Sequence, residues 1–183
     1  MGECLRKRLY ASRPSVKAGK PSGTAPDIII GYLLQAKLPH LSNETVNQVV
    51  QGHSILMAIE NLLGQLLEEY LAVRLAQDGW YCCWGNALDA IDFCKIDGSL
   101  LQVKTSDNSE NSSSSRVRVG TKIQKWQRRN SKKPNTYYWG ELNELVGRTD
   151  LSEEDFRLFA MDVVRQNPSC FHIPDDSILL KSS

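Results

Sequence analysis

Between Ser54 and Gln77, apolar residues recur at 55, 59, 62, 66, 70 and 73, so one broad stripe of a helix turns toward a core. Asp78-Gly79 ends that helix, and the aromatic and cysteine-rich run Trp80 to Trp84 suits a buried strand. After a turn at Gly85-Asn86 the chain enters DAIDFCKIDGSLLQVK, residues 89–104, which reads as two short strands joined at Asp97-Gly98. Upstream, residues 28–38 predict a short apolar helix stopped before Pro39, and Asn43 is the expected cap of another short helix ending near Gly52. Downstream, Arg116 to Val119 alternates like a strand, whereas TKIQKWQRRNSKK reads as a short basic helix or turn carrying Trp126. Ser152 caps a last helix reaching about Arg165, with Leu151 and Phe156 as its staple, and Tyr137, Tyr138 and Trp139 belong to the core. The expected class is α/β (α+β), a small mixed β-sheet flanked by helices.

The 183 residues suffice for one domain with a core, assigned to 27–183. Residues 1–26 are basic and rich in Ser, Gly and Pro, and read as a flexible arm. No apolar run approaches the roughly 20 residues that cross a bilayer, and the start lacks the order of a signal peptide, so the expected location is cytoplasmic. The five cysteines form no C-x-x-C pair and read as reduced small hydrophobes, and the three histidines share no metal-ligand spacing.

A net charge of +1 conceals a local asymmetry: no acid occurs from Asn111 to Gly140, a stretch holding Arg116, Arg118, Lys122, Lys125, Arg128, Arg129, Lys132 and Lys133. A block of one sign interleaved with an aromatic fits a polyanion, and the adjacent hairpin favours nucleic acid over a merely solvated face. The polar stretch TSDNSENSSSS, containing Asn108, Glu110 and Asn111, lies beside that hairpin, where loops supply substrate contacts.

The hairpin carries the chemistry. Gln102 and Lys104 leave one face of the second strand, and Asp92 stands near their level on the first. A carboxylate, an amide oxygen and an ammonium group at one sheet edge are the inventory of a Mg2+-dependent phosphodiester-cleaving site. A helical acid is expected to join them. Glu60 borders the apolar stripe, flanked by Leu56, Leu63, Leu67 and Leu71, and would carry a desolvation cost without a partner; Glu69 reads as an ordinary solvated acid.

The spacing Asp-x(9)-Gln-x-Lys resembles the PD-(D/E)xK nuclease core, with Gln102 where Asp or Glu is usual. The ordered blocks ENLLGQLLEEYLA, GWYCCWG, DAIDFCKIDGSLLQVK, DNSENSSSSRVR and GTKIQKW resemble the SinI/AvaII type of type II restriction endonuclease, with TdeIII-like enzymes close in pattern, across about residues 53–145. This resemblance implies a restriction-endonuclease-like core and a homodimer that cuts double-stranded DNA at a GGWCC or GGNCC site. It further implies a DNA methyltransferase as genetic partner. Position by position, it implies Asp92 as metal-binding carboxylate, Gln102 as substitute second ligand, the Val103 carbonyl in the metal shell, and Lys104 as the lysine that positions water. The E-E-x(5)-L-x(3)-G-aromatic spacing points to Glu68 as the helix acid, leaving Glu60 and Glu68 both open. Arg116, Arg118, Lys122 and Lys125 are expected at guanines or phosphates, with Arg128 and Arg129 in the same basic surface and Asn108, Glu110 and Asn111 at base edges. The competing readings are a structure-specific repair or junction nuclease and a non-catalytic nucleic-acid-binding protein.

Overall fold

The computed structural model describes residues 11–20, 27–83, 91–107, 122–175 and 177–180. Its spine is a long helix, α2 (Asn43–Leu75), preceded by α1 (Ile28–Lys37). Four strands follow, β1 (Trp80–Cys82), β2 (Phe93–Lys95), β3 (Leu100–Ser106) and β4 (Ile123–Arg129), and then α3 (Trp139–Val146) and α4 (Glu153–Gln166). The sheet order is β1-β2-β3-β4, antiparallel for the first two pairs and parallel for β3 with β4. The expected mixed sheet flanked by helices is therefore present.

Ser42, one residue before the expected cap, accepts the Thr45 N–H at 3.2 Å and starts α2. The helix then passes through Gly52 instead of ending there. A single interior glycine costs about 1 kcal/mol, too little to stop a helix carrying this much downstream packing. Gly79 at φ 77° closes the segment after a turn of 3-10 helix. The buried stripe also differs from the expected one: Ile59 and Val73 are exposed, whereas Leu67, Leu71 and Leu75 are fully buried.

The β2–β3 hairpin forms at Asp97-Gly98 as read. Gly98 adopts φ 87°, and the Asp97 carboxylate accepts the Ser99 N–H at 2.8 Å. The segment TKIQKWQRR, in contrast, is strand β4 rather than helix or turn. Its deciding feature is period two: Trp126 and Arg128 turn inward between Lys125, Gln127 and Arg129. An indole and a guanidinium on one face are both drawn into the core because partners await them there.

That core lies between the sheet, α2, α3 and α4. Trp126 stacks near Trp139 at 5.0 Å, Trp139 stands edge-on to Tyr70 at 5.9 Å, and Tyr70 meets Phe156 at 5.5 Å. The Tyr70 hydroxyl donates to Asp155 at 2.7 Å, the Trp126 indole N–H to the Tyr138 carbonyl at 2.8 Å and the Trp139 indole N–H to Glu153 at 2.9 Å, so every polar tip in this cluster is satisfied. Of the three expected core aromatics, Trp139 is deeply buried while Tyr137 is 39% exposed. Ser152 caps α4 by accepting the Asp155 N–H, and Leu151 and Phe156 are both buried, as the staple requires.

The amino-terminal arm is not free over residues 11–20. The Ser15 N–H donates to Glu69 at 3.1 Å, its hydroxyl donates to the other Glu69 oxygen, and Arg13 stands 3.9 Å away. Asn167 donates to the carbonyls of Pro14 and Lys17, and the Gly19 N–H donates to Ser169 at 2.7 Å. A Cβ on Gly19 would fall 2.4 Å from the Phe171 backbone, so only glycine fits this crossing. Glu69, expected to be solvated, is 2% exposed and anchors the arm.

Candidate active site at the edge of strand β3

Register decides which side chains share a face. In the parallel pair, Gln102 lies opposite Lys125, Lys104 opposite Gln127, and Ser106 opposite Arg129. Directly opposed residues point to the same side, so these six line one face, while Val103 and Trp126 point to the other.

Asp92 sits just before β2 and is fixed by its own backbone. Its N–H donates to Leu101, its carbonyl accepts from Cys83 at 2.8 Å, and its Oδ2 accepts the Val103 N–H at 2.7 Å. The last bond ties the carboxylate to the strand bearing Gln102 and Lys104. Burial raises the Asp92 pKa above the ordinary value, against the opposing pull of the Val103 N–H and the Lys104 charge.

The helix contributes Glu68. Burial first, and the Asp92 charge second, push its carboxyl up to about 7, while Lys104 acts in the opposite direction. Two acids and one lysine that feel one another's charge lie close together in a poorly solvated pocket, a recurrent trait of functional sites. Glu60 does not belong to this group. It is exposed and lies two turns earlier on α2, about 12 Å along the axis. The wheel misplaced it because Leu56 and Ile59, two of the apolar residues around it, themselves face outward.

Gln102 is 1% exposed, yet its Oε1 has no hydrogen-bond partner among the described residues. A buried amide oxygen left without a donor costs about 1–3 kcal/mol, so it calls for a partner such as an ordered water, a ligand or a cation. No three His, Cys, Asp or Glu gather as a metal-binding group among the described residues. The oxygen donors here are two carboxylates and an amide.

The basic surface is only partly as expected. Lys122, Lys125 and Arg129 are exposed. Arg128 is not: at 6% exposure its guanidinium pairs with Glu153 and lies 5.3 Å from the Phe156 ring centroid. It is a core cation and not the exposed DNA contact expected, because Glu153, 25 residues away, pairs with it inside the fold. Arg128→Ala should lower unfolding free energy by about 2 kcal/mol, by removing a buried guanidinium packed on Phe156 and one of the two partners of Glu153, which keeps the Trp139 N–H. Lys125→Ala should leave stability within about 0.5 kcal/mol while weakening DNA retention. Paired denaturation and gel-shift titrations check this; equal stability losses would refute the division. Asn108, Glu110, Asn111, Arg116 and Arg118 lie outside the described residues. Gln127 was overlooked, and reading β4 with period two would have found it beside Lys104.

A family model described as the SinI restriction endonuclease matches residues 6–166. The chain belongs to the SinI restriction endonuclease family. It is 39% identical over 169 residues to the type II restriction enzyme SinI of Salmonella infantis, covering 90% of this chain and 72% of that relative. Similarity to the type II restriction enzyme Eco47I of Escherichia coli is 38% over 162 residues, covering 86% and 69% respectively. The family assignment makes this chain a type II restriction endonuclease, a site-specific deoxyribonuclease. In this SinI family member, Lys104 shares its strand face with Gln102 and acts on the charges of both Glu68 and Asp92. Among the described residues no helix is long and apolar enough to cross a membrane.

Proposed function

We propose that this chain hydrolyses phosphodiester bonds in double-stranded DNA at a short GGWCC- or GGNCC-like sequence, with Mg2+ held at the β3 edge by a PD-(D/E)xK-type site. The observation that carries this reading is the pair of desolvated acids, Glu68 and Asp92, both acted on by Lys104, whose strand also bears the buried, partnerless oxygen of Gln102 two residues away. The donor set fits the cation: Asp92 has an oxygen beyond the one bonded to Val103, Glu68 and Gln102 add hard oxygens, and the Val103 carbonyl completes the set. When bound, Mg2+ supplies Lewis-acid stabilisation of the phosphate and lowers the pKa of a coordinated water.

The chain's own groups do the rest. Lys104 holds the attacking water and favours its deprotonation, and its charge offsets the negative charge growing on the phosphate. The water oxygen bonds to phosphorus in line, the bond from phosphorus to the departing sugar oxygen breaks, and a proton passes to that oxygen. Lys122, Lys125 and Arg129 neutralise phosphates alongside. A two-fold symmetric target calls for a homodimer. The expected setting is the cytoplasm, where a DNA methyltransferase of matching specificity would protect the host's own sites.

Incubating the chain with a mixed-sequence plasmid and Mg2+ tests this. Discrete fragments sharing one terminal sequence support it. Branch-specific nicking without sequence preference would replace it with a structure-specific nuclease, and retention without cleavage would leave only a DNA-binding protein.

A further inference from the structure

A second feature lies away from the β3 edge. A groove of about 1000 Å³ runs between α1, the first half of α2 and the arm, with Ile30, Leu34, Val49 and Met57 in its walls. Beside it, α1 is apolar on nearly every side (IIIGYLLQAK), yet none of its residues is buried. A helix that is apolar all round belongs inside something, and at ten residues it is too short to persist in water by propensity alone. Its tie to α2 is slight: Gly31 lies over Val46, and Gln35 donates to Asn43.

We infer that the face formed by α1 and the first half of α2 is where a second copy of this chain docks. Ile28, Ile29, Tyr32 and Leu33 on α1 and Val49 and Leu56 on α2 are 51–73% exposed. With ordinary residue areas these six together expose on the order of 700–800 Å², close to the roughly 800 Å² per partner of a stable protein interface. The same residues from both copies would meet about a two-fold axis, the closed arrangement that such a face permits. A second observation selects this occupant. Each chain carries one Lys104-bearing edge, whereas scission of both antiparallel strands in one encounter takes two edges related by a two-fold. That step rests on the nuclease reading; the area argument does not.

Sedimentation of the full 183-residue chain at micromolar concentration should give twice 20.6 kDa. Leu33→Glu and Leu56→Glu should each weaken the dimer by about 30-fold or more and shift it to monomer with unchanged circular dichroism. Leu158→Glu, at an equally open apolar site on α4, should remain dimeric. A monomeric parent chain, or a dimer untouched by Leu33→Glu and Leu56→Glu, overturns the inference; a monomer would assign the face to another segment or partner. Plasmid scission is scored separately. Monomeric variants should release nicked circles in place of linear product. A dimer that cuts nothing condemns the nuclease reading alone, and a monomer that makes linear product condemns the docking face alone.

Discussion

Lys104→Ala should cut DNA at least about 100- to 1,000-fold more slowly than the parent chain while still retaining it in a gel shift. Lys104 shares its face with Gln102 and is close enough to Glu68 and Asp92 to oppose the rise in both their pKa values. Removing the ammonium group therefore subtracts the only positive side chain acting on this acid pair among the influences resolved for it. In a site of low effective dielectric a preorganised charge is worth several kcal/mol at the transition state, hence the large factor. Retention should persist because Lys125 and Arg129 on the neighbouring strand, and Lys122 just before it, remain exposed. Single-turnover cleavage of a plasmid alongside a shift assay separates the two effects. A normal rate in Lys104→Ala would remove this lysine from the chemistry.

Glu68→Gln should stabilise the metal-free protein and disable it together. The Glu68 carboxyl is held at about 7 in the folded chain, against 4.5 for its ordinary value, mainly by burial and then by Asp92. The folded state thus binds this proton more tightly than the unfolded state. Its contribution to stability is fully present below about pH 4.5, declines as pH rises, and is lost above about pH 7. At 1.36 kcal/mol per pH unit, the ionised acid costs roughly 3 kcal/mol at pH 8. A neutral glutamine avoids most of this cost, so Tm at pH 8 should rise by several degrees, with little gain at pH 4. Cleavage should fall by about 100-fold or more if Glu68 holds the proposed Mg2+, because the variant removes an anionic oxygen from that donor set. Thermal melts at the two pH values check it; a lower Tm at pH 8 with normal cutting would exclude Glu68 from the site.

What could be read from the chain in advance was local. Asp97-Gly98 forces a hairpin, and strand parity then puts Gln102 with Lys104, because both rules act over a few residues. The parity rule also applied to Ile123–Arg129, but the density of Lys and Arg hid it; β4 is fixed by a parallel partner distant in sequence. Arg128 and Glu69 were misread for one shared reason. Each looks like a surface charge until a partner is supplied, Glu153 for the arginine and the Ser15 segment for the glutamate, and the latter lies 54 residues away. The helix acid was undecidable from the wheel because the apolar surface of α2 has two uses. Its second half covers the sheet, while its first half shows Val49, Leu56 and Met57 to the outside. Family-level spacing pointed to Glu68, and geometry separates it from Glu60.

Gln102 also bears on the order of events. With an amide in place of a third carboxylate, the site has one less negative charge for the cation, so the scissile phosphate is the natural source of the missing anionic ligand. Calorimetric titration of Mg2+ into the chain, with and without an uncleavable duplex, tests this assembly most directly. One cation per chain should bind, markedly more tightly when the duplex is present, and Asp92→Asn should abolish binding in both cases. Equal affinity with and without DNA, or binding that survives Asp92→Asn, would contradict the assignment of Asp92, Glu68 and Gln102 as the metal-holding edge.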